Sequence, residues 1–428
     1  MLLRLTLSVL TLAACAMPGY AQDAGGRAHW VSTWGTAQQL AVEMRPAWVA
    51  PPPRAENDPP PPPSPIPPFP ESFADETIRM VVRASVGGSR VRVTLSNALG
   101  FEPVRIGAVH VALRERESSI VASTNRSVTF GGRTAFTIEP GALVVSDAIE
   151  LAVPALAELA ISLYLPERTG RATTHELGLN TTYVANGNVA AAPSLPGAAT
   201  NLTYFWLAGV EVLAPPNAGT IVAFGDSITD GFTTTPNAHR AWPALLAARL
   251  QRNAATAHWG VVNVGIAGNR VRRDLVGTSG LARFDRDVLS RAGVRWLLLF
   301  EGINDINFTA LPGAPASQQT TAEQLIEGLS QLVDRAHARG IRVLGGTLMP
   351  MGGLWLHNAQ TEGLRQAVNR WIRTGGKFDA VVDFDAVTRD PEQPERLRPA
   401  FDSGDHIHPN DAGNAAMAEA IDIAAFDR

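Results

Sequence analysis

At residues 213–219, "LAPPNAG", the hydrophobic pattern of the chain changes its period, and this change constrains the fold more than any other feature. Beyond it, five apolar runs of strand length recur: "TIVAFG" (220–225), "GVVNVGI" (260–266), "RWLLLFEG" (295–302), "IRVLGGTLMP" (341–350) and "AVVDFD" (380–385). Helical stretches separate them. In "HRAWPALLAARL", Trp242, Leu245, Leu246 and Leu250 recur at helical spacing, and "TAEQLIEGLSQLVDRAHARG" is another such stretch. A last helix is predicted from near Asn410 through "AGNAAMAEAIDIAAF". Strands alternating with helices imply a parallel sheet covered on both faces. In such sheets functional residues collect at the carboxyl ends of the strands.

Before the boundary the texture is that of strands alone. "TIRMVVRASV" and "RVRVTLSN" flank Gly87-Gly88, which predicts a hairpin, and "SVTFGGRTAFTI" predicts a second across Gly131-Gly132. "VRIGAVHVAL" and "LAELAISLYLP" are further strand-like runs, with no sustained helical period among them. Many short strands at regular spacing predict a β-sandwich-like domain over 76–215, ahead of an α/β domain over 218–428. Residues 22–75 form an N-terminal segment in which Trp30 and Trp34 are candidates for an early strand. Its proline-dense stretch, 46–70, is expected to be extended polyproline II: a stiff surface loop or spacer, with a partner-docking segment as the alternative.

Residues 1–21 read as a signal peptide: Arg4, an apolar core from Leu5 to Ala14, and small residues at Gly19-Tyr20-Ala21. Leu12-Ala13-Ala14-Cys15 resembles a bacterial lipoprotein box, so the expectation is export, either to the periplasm or medium or as a lipoprotein anchored at Cys15. No transmembrane helix is predicted. Cys15 is the only cysteine, which leaves the mature chain neither a disulfide nor a catalytic thiol. The net charge is −4 with both signs interspersed, and no basic stripe points to nucleic acid.

Four strand ends carry side chains suited to chemistry. Ser227, in "TIVAFGDSITDG", ends the first strand of the α/β half, where its hydroxyl is exposed and its N–H faces the site; the alternative is a helix-capping serine. Gly268 follows the second strand and can present an unobstructed backbone N–H, as many turn glycines do. Asn304, in "FEGINDIN", is an amide donor at the third, or merely closes a turn with Asp305. The fourth is "DSGDHIHPNDAG" (402–413), which precedes the last helix. A serine needs a base, and a histidine base needs a carboxylate to fix its tautomer. Asp405 and His408 are three apart, a spacing that a turn brings to one side. His406 is adjacent to Asp405 and points the opposite way in an extended segment. Asp402, Asp405, His406 and His408 as metal ligands are the alternative reading of this stretch. His110, His337 and His357 read as structural or surface residues.

"GDSITDG", "GIAGNR", "GINDI" and "DHIHP" together resemble the four blocks of the SGNH (GDSL) hydrolases, in that family's order and over residues 218–428. The resemblance implies a three-layer α/β/α flavodoxin-like fold and esterase or acyl-transfer chemistry without metal or organic cofactor. Carried over by position, Ser227 is the nucleophile and an oxyanion donor. Gly268 and Asn304 are further oxyanion donors, and His408 is the base, oriented by Asp405. A β-rich domain ahead of such a unit is similar to secreted bacterial esterases proposed to act on plant polysaccharides. The expected substrate is therefore a short acyl ester, acetyl on carbohydrate. Lipid or aryl esters, O-acyl transfer, and a glycan-binding protein with a vestigial esterase domain are the alternatives.

Overall fold

The computed structural model describes residues 27–40 and 68–427. The signal-sequence reading, Cys15 and all but the last three residues of the proline-dense stretch lie outside the described residues. Among the described residues no helix is long and apolar enough to cross a membrane.

Two antiparallel sheets face each other in the N-terminal half. The larger runs in the order Ala199–Asn201, Thr182–Asn186, Glu76–Arg83, Glu158–Leu165, Ala108–Arg116, Ser119–Ile120, with Arg126–Ser127 pairing off this path. The smaller runs His29–Gly35, Leu207–Ala214, Val91–Ser96, Leu143–Val145. Alternation along the strands sends Ile78, Met80, Val82, Leu159, Ile161 and Leu163 inward from one sheet and Val91, Val93, Leu95, Val210 and Val212 from the other, into one core.

The hairpin expected at Gly87-Gly88 is not formed. The flanking strands, Glu76–Arg83 and Val91–Ser96, belong to opposite sheets, and Gly88 instead bridges Val153. The glycines are needed for close approach: a Cβ on Gly88 would lie 2.6 Å from Val212. At Gly131-Gly132 (φ 59° and 76°) the tight turn does form, closed by a Phe130–Arg133 bridge. The chain then departs, and Phe136–Ile138 pairs with Val104–Ile106.

The C-terminal half holds a parallel sheet of five strands: β1 (Gly219–Gly225), β2 (Trp259–Asn263), β3 (Val294–Phe300), β4 (Arg342–Gly346) and β5 (Ala380–Val382). Their order is β2-β1-β3-β4-β5, the flavodoxin-like arrangement, with helices on both faces. The helices begin where the sequence allows: Thr321 and Gln324 form a capping box at the start of Ala322–His337, whose Leu325, Leu329, Leu332 and Val333 are buried. All five strands run parallel, but the order in which the chain adds them reverses between β1 and β3, which opens a crevice at their carboxyl ends.

The two halves share buried and part-buried hydrogen bonds. The Ser32 N–H donates to the Thr220 hydroxyl (3.0 Å), the Val261 N–H to Ser85 Oγ (2.8 Å), and Arg291 to the carbonyls of Thr36 (2.8 Å) and Ala208 (2.9 Å). Strand His29–Gly35 thus lies on the β1/β2 side of the parallel sheet while its other edge belongs to the sandwich.

Candidate active site

The crevice at the switch point is built from four loops. β1 ends at Gly225, a position that needs glycine, because a Cβ there would lie 2.3 Å from the Phe300 carbonyl oxygen. Asp226, not Ser227, caps the next helix by accepting the Ile228 N–H (3.0 Å). Ser227 therefore opens the one-turn helix Ser227–Asp230 with its hydroxyl free to leave the backbone, and Gly231 (φ 104°) ends that helix.

The segment 402–409 lies across this hydroxyl. His408 Nε2 is 2.8 Å from Ser227 Oγ, and its Nδ1 is 2.6 Å from Asp405 Oδ2. The other Asp405 oxygen accepts the N–H groups of Ile407 (3.1 Å) and His408 (2.9 Å). Burial acts to raise the Asp405 carboxyl, but the bond to the His408 ring, the charge of that ring and the backbone donors outweigh it and hold it down at about 2. Phe232 packs on the His408 ring with centroids 4.5 Å apart.

His406 does not join this line. Its backbone is left-handed (φ 67°), and its Nδ1 is 2.7 Å from Asp402 Oδ2. Each aspartate of the pair of pairs thus serves a different histidine. Among the described residues no group of three or more His, Cys, Asp or Glu side chains could hold a metal ion. None of His110, His337 and His357 contacts Ser227, Asp405 or His408 in the hydrogen bonds and ion pairs of the described residues; they face Asn125, Asp379 and the Glu362/Glu395 carboxylates.

The backbone donors come from the neighbouring loops. β2 ends at Asn263, but Val264 and Ile266 continue to donate to the Ala223 (2.9 Å) and Gly225 (3.1 Å) carbonyls, which lays the 264–268 loop beside Ser227. Gly268 takes φ 81°, a conformation glycine adopts without strain. Neither its N–H nor that of Ser227 has a hydrogen-bond partner among the described residues. Gly302 (φ 123°) turns β3 into the helix Ile303–Asn307, where Asn304 Nδ2 donates to the Asn269 carbonyl (3.0 Å), leaving its second amide hydrogen. Asp305 accepts the Val271 (2.7 Å) and Arg272 (3.3 Å) N–H groups; burial raises it to about 6 against those donors.

Arg283, which no motif or spacing in the sequence singles out, joins these loops from beneath. Its guanidinium is fully buried and donates to the carbonyls of Gly225 (3.0 Å) and Val264 (2.6 Å), to Asn269 Oδ1 (3.0 Å), and to Asp287 (3.2 Å) and Glu301 (3.4 Å). One cation thus ties the end of β1 to both neighbouring loops. Burial and the nearby Asp226 push Glu301 well above the carboxylate range, and burial lifts Asp226 to about 7. "LARFDRD" looks like any charged helix, because the partners that tie Arg283 to the site are two backbone carbonyls and the side chains of Asn269 and Glu301, 14 and 18 residues away in the chain.

A flavodoxin-order sheet that lines up a serine, a histidine and an aspartate at its switch point belongs among carboxylic ester hydrolases, and this chain is one. Residues 223–416 match the GDSL-like Lipase/Acylhydrolase family, and this half of the chain is a member of that SGNH (GDSL) family. No curated protein matches the chain. Among solved structures, it is similar to a catalytic mutant of an acetylxylan esterase from Geobacillus stearothermophilus, with 23% identity over 47% of this chain and 91% of that one and a TM-score of 0.38. An α/β hydrolase from the metagenome of Lake Arreo, Spain, shares 25% identity over 49% of this chain and 96% of its own, with a TM-score of 0.38. A GDSL-like lipase from Bacteroides thetaiotaomicron shares 18% over 49% and 88%, with a TM-score of 0.35.

Proposed function

We propose that this protein is an exported serine esterase that removes short acyl groups, acetyl above all, from carbohydrate esters. The observation that carries the reading is the continuous line from Ser227 Oγ through His408 to Asp405, beside two unpaired backbone N–H groups. Ser227 Oγ attacks the ester carbonyl carbon as His408 Nε2 takes its proton. The negative charge that develops on the carbonyl oxygen is received by the N–H groups of Ser227 and Gly268 and by Asn304 Nδ2. Collapse of this intermediate breaks the bond to the alcohol, which leaves with the proton from His408, and Ser227 keeps the acyl group. Water, deprotonated by His408, then attacks the acyl-enzyme and releases the acid. Asp405 stays ionised throughout and stabilises the imidazolium.

A sugar on the alcohol side is supported by the loop after β4. Gly353 approaches the His406 ring so closely that a Cβ there would lie 3.0 Å from it, and two residues on Trp355 is 48% exposed. An exposed indole two residues from the glycine that approaches a half-exposed imidazole offers a stacking face and a hydrogen-bonding group to a pyranose. Export rests on the charged, apolar and small-residue pattern of residues 1–21. The test is acid release from a panel of acetylated oligosaccharides and aryl esters of increasing chain length. Fastest turnover is expected on acetyl esters, with acetylated sugars preferred; a preference for long acyl chains contradicts it.

A further inference from the structure

The sandwich half reaches toward the active site through one buried charged contact. His175 ends the strand Thr173–His175 and is 3% exposed. Its Nδ1 lies 3.0 Å from the Ala37 carbonyl oxygen, and only a ring N–H satisfies a carbonyl. Its Nε2 lies 2.9 Å from Asp230 Oδ1. Asp230 is the last residue of the helix that Ser227 opens. Its second oxygen accepts the N–H of Ala267 (3.0 Å), the residue before Gly268.

The same contact is tightened from the other side. A Cβ on Gly265 would lie 2.4 Å from the Asp230 nitrogen, and Asn263 Nδ2 donates to the Thr229 carbonyl (2.7 Å). Burial acts to lower the His175 pKa, but the Asp230 charge and hydrogen bond outweigh it, and the net shift is upward. Both ring nitrogens face acceptors, so the arrangement suits an imidazolium that donates twice. Every carboxylate and ring position in this chain of contacts is occupied, from Ala37 through His175 and Asp230 to Ala267.

We propose that His175 is a positioning residue for the reaction: through Asp230 it fixes the 265–268 loop, and with it the direction of the Gly268 N–H. Gly268 is at φ 81° and is intrinsically free to rotate, so its N–H points where its neighbours hold it. A donor displaced by an ångström loses much of its value, and losing one donor costs roughly 10²–10³ in rate. The sandwich half thereby completes the oxyanion site without touching substrate. His175 and Asp230 also border a cavity of about 110 Å³ between the halves, lined further by Asn180, Thr234 and Arg240 but not by Ser227 or His408.

This inference rests on the esterase reading above. In the full chain, His175→Ala is expected to lower kcat for an activated acetyl ester roughly 10- to 100-fold, with KM changed less than about threefold. His175→Gln, which keeps an amide donor, should retain more activity than His175→Ala. Imidazole added to the buffer has the interfacial cavity to enter and should restore part of the His175→Ala rate. Asp230→Asn, which keeps the shape but weakens the contact with His175, should show the same kcat loss without rescue by imidazole, and it serves as the test if His175→Ala does not fold. A folded His175→Ala enzyme with unchanged kcat, or a loss confined to KM, overturns the proposal. An active Ser227→Ala enzyme would instead overturn the esterase reading, so the two failures are distinguishable.

Discussion

Two aspartate–histidine pairs sit within seven residues of one loop, and up to Nδ1 they are nearly the same structure. Asp402 accepts the N–H groups of Gly404 (2.8 Å) and His406 (3.0 Å) and holds the His406 ring at 2.7 Å. Asp405 accepts those of Ile407 (3.1 Å) and His408 (2.9 Å) and holds the His408 ring at 2.6 Å. They differ at the far nitrogen. His408 Nε2 meets the hydroxyl of a serine 181 residues earlier in the chain and is covered by Phe232, whereas the His406 side chain is 45% exposed. An aspartate–histidine pair is thus a local product of turn chemistry. What separates a base from a loop residue is the group that long-range folding delivers to its free nitrogen.

The largest effect is expected from His408→Ala, which should reduce kcat by roughly 10⁴-fold or more, since the nucleophile loses its base. Asp405→Asn should follow with a loss of about 10⁴-fold, because the amide favours the wrong tautomer. His406→Ala should stay within about tenfold on an aryl acetate; the same ranking measured with His406 as the dead variant would break the comparison.

The smallest expected effect is on stability. The Asp405 carboxyl is held at about 2 in the folded chain, below its unfolded value of roughly 3.9. A depressed folded pKa adds stability above the unfolded pKa, and that stability is lost as pH falls from about 4 toward 2. The difference in thermal midpoint between the parent and Asp405→Asn should therefore be constant above about pH 5 and shrink below pH 4. A difference that instead grows on acidification would contradict the charge-assisted bond.

The two pairs also show what was legible in the sequence. Asp405 and His408 stand out as a pair because they are three residues apart, and Ser227, Gly268 and Asn304 as candidates because each lies just beyond a strand in an alternating pattern. His406 is set aside by a different device from the extended segment that alternation predicts: its backbone is left-handed, and its own aspartate holds the ring away. Arg283 and the His175–Asp230 pair were not legible. Their partners are distant or are backbone carbonyls, and neither leaves a periodic trace. The missed pairing at Gly87-Gly88 has the same origin, since a sandwich pairs strands that are far apart in sequence while hairpin signals report only neighbours.

The central claim is that Ser227 carries the acyl group, and covalent trapping tests it most directly. The purified chain is incubated with an alkyl fluorophosphonate, which forms a stable adduct with an activated serine, and the labelled peptide is located by mass spectrometry. One adduct per chain on Ser227, absent from Ser227→Ala and strongly slowed in His408→Ala, is the predicted result. Stoichiometric labelling of another serine, or undiminished labelling of the Ser227→Ala protein, would contradict it.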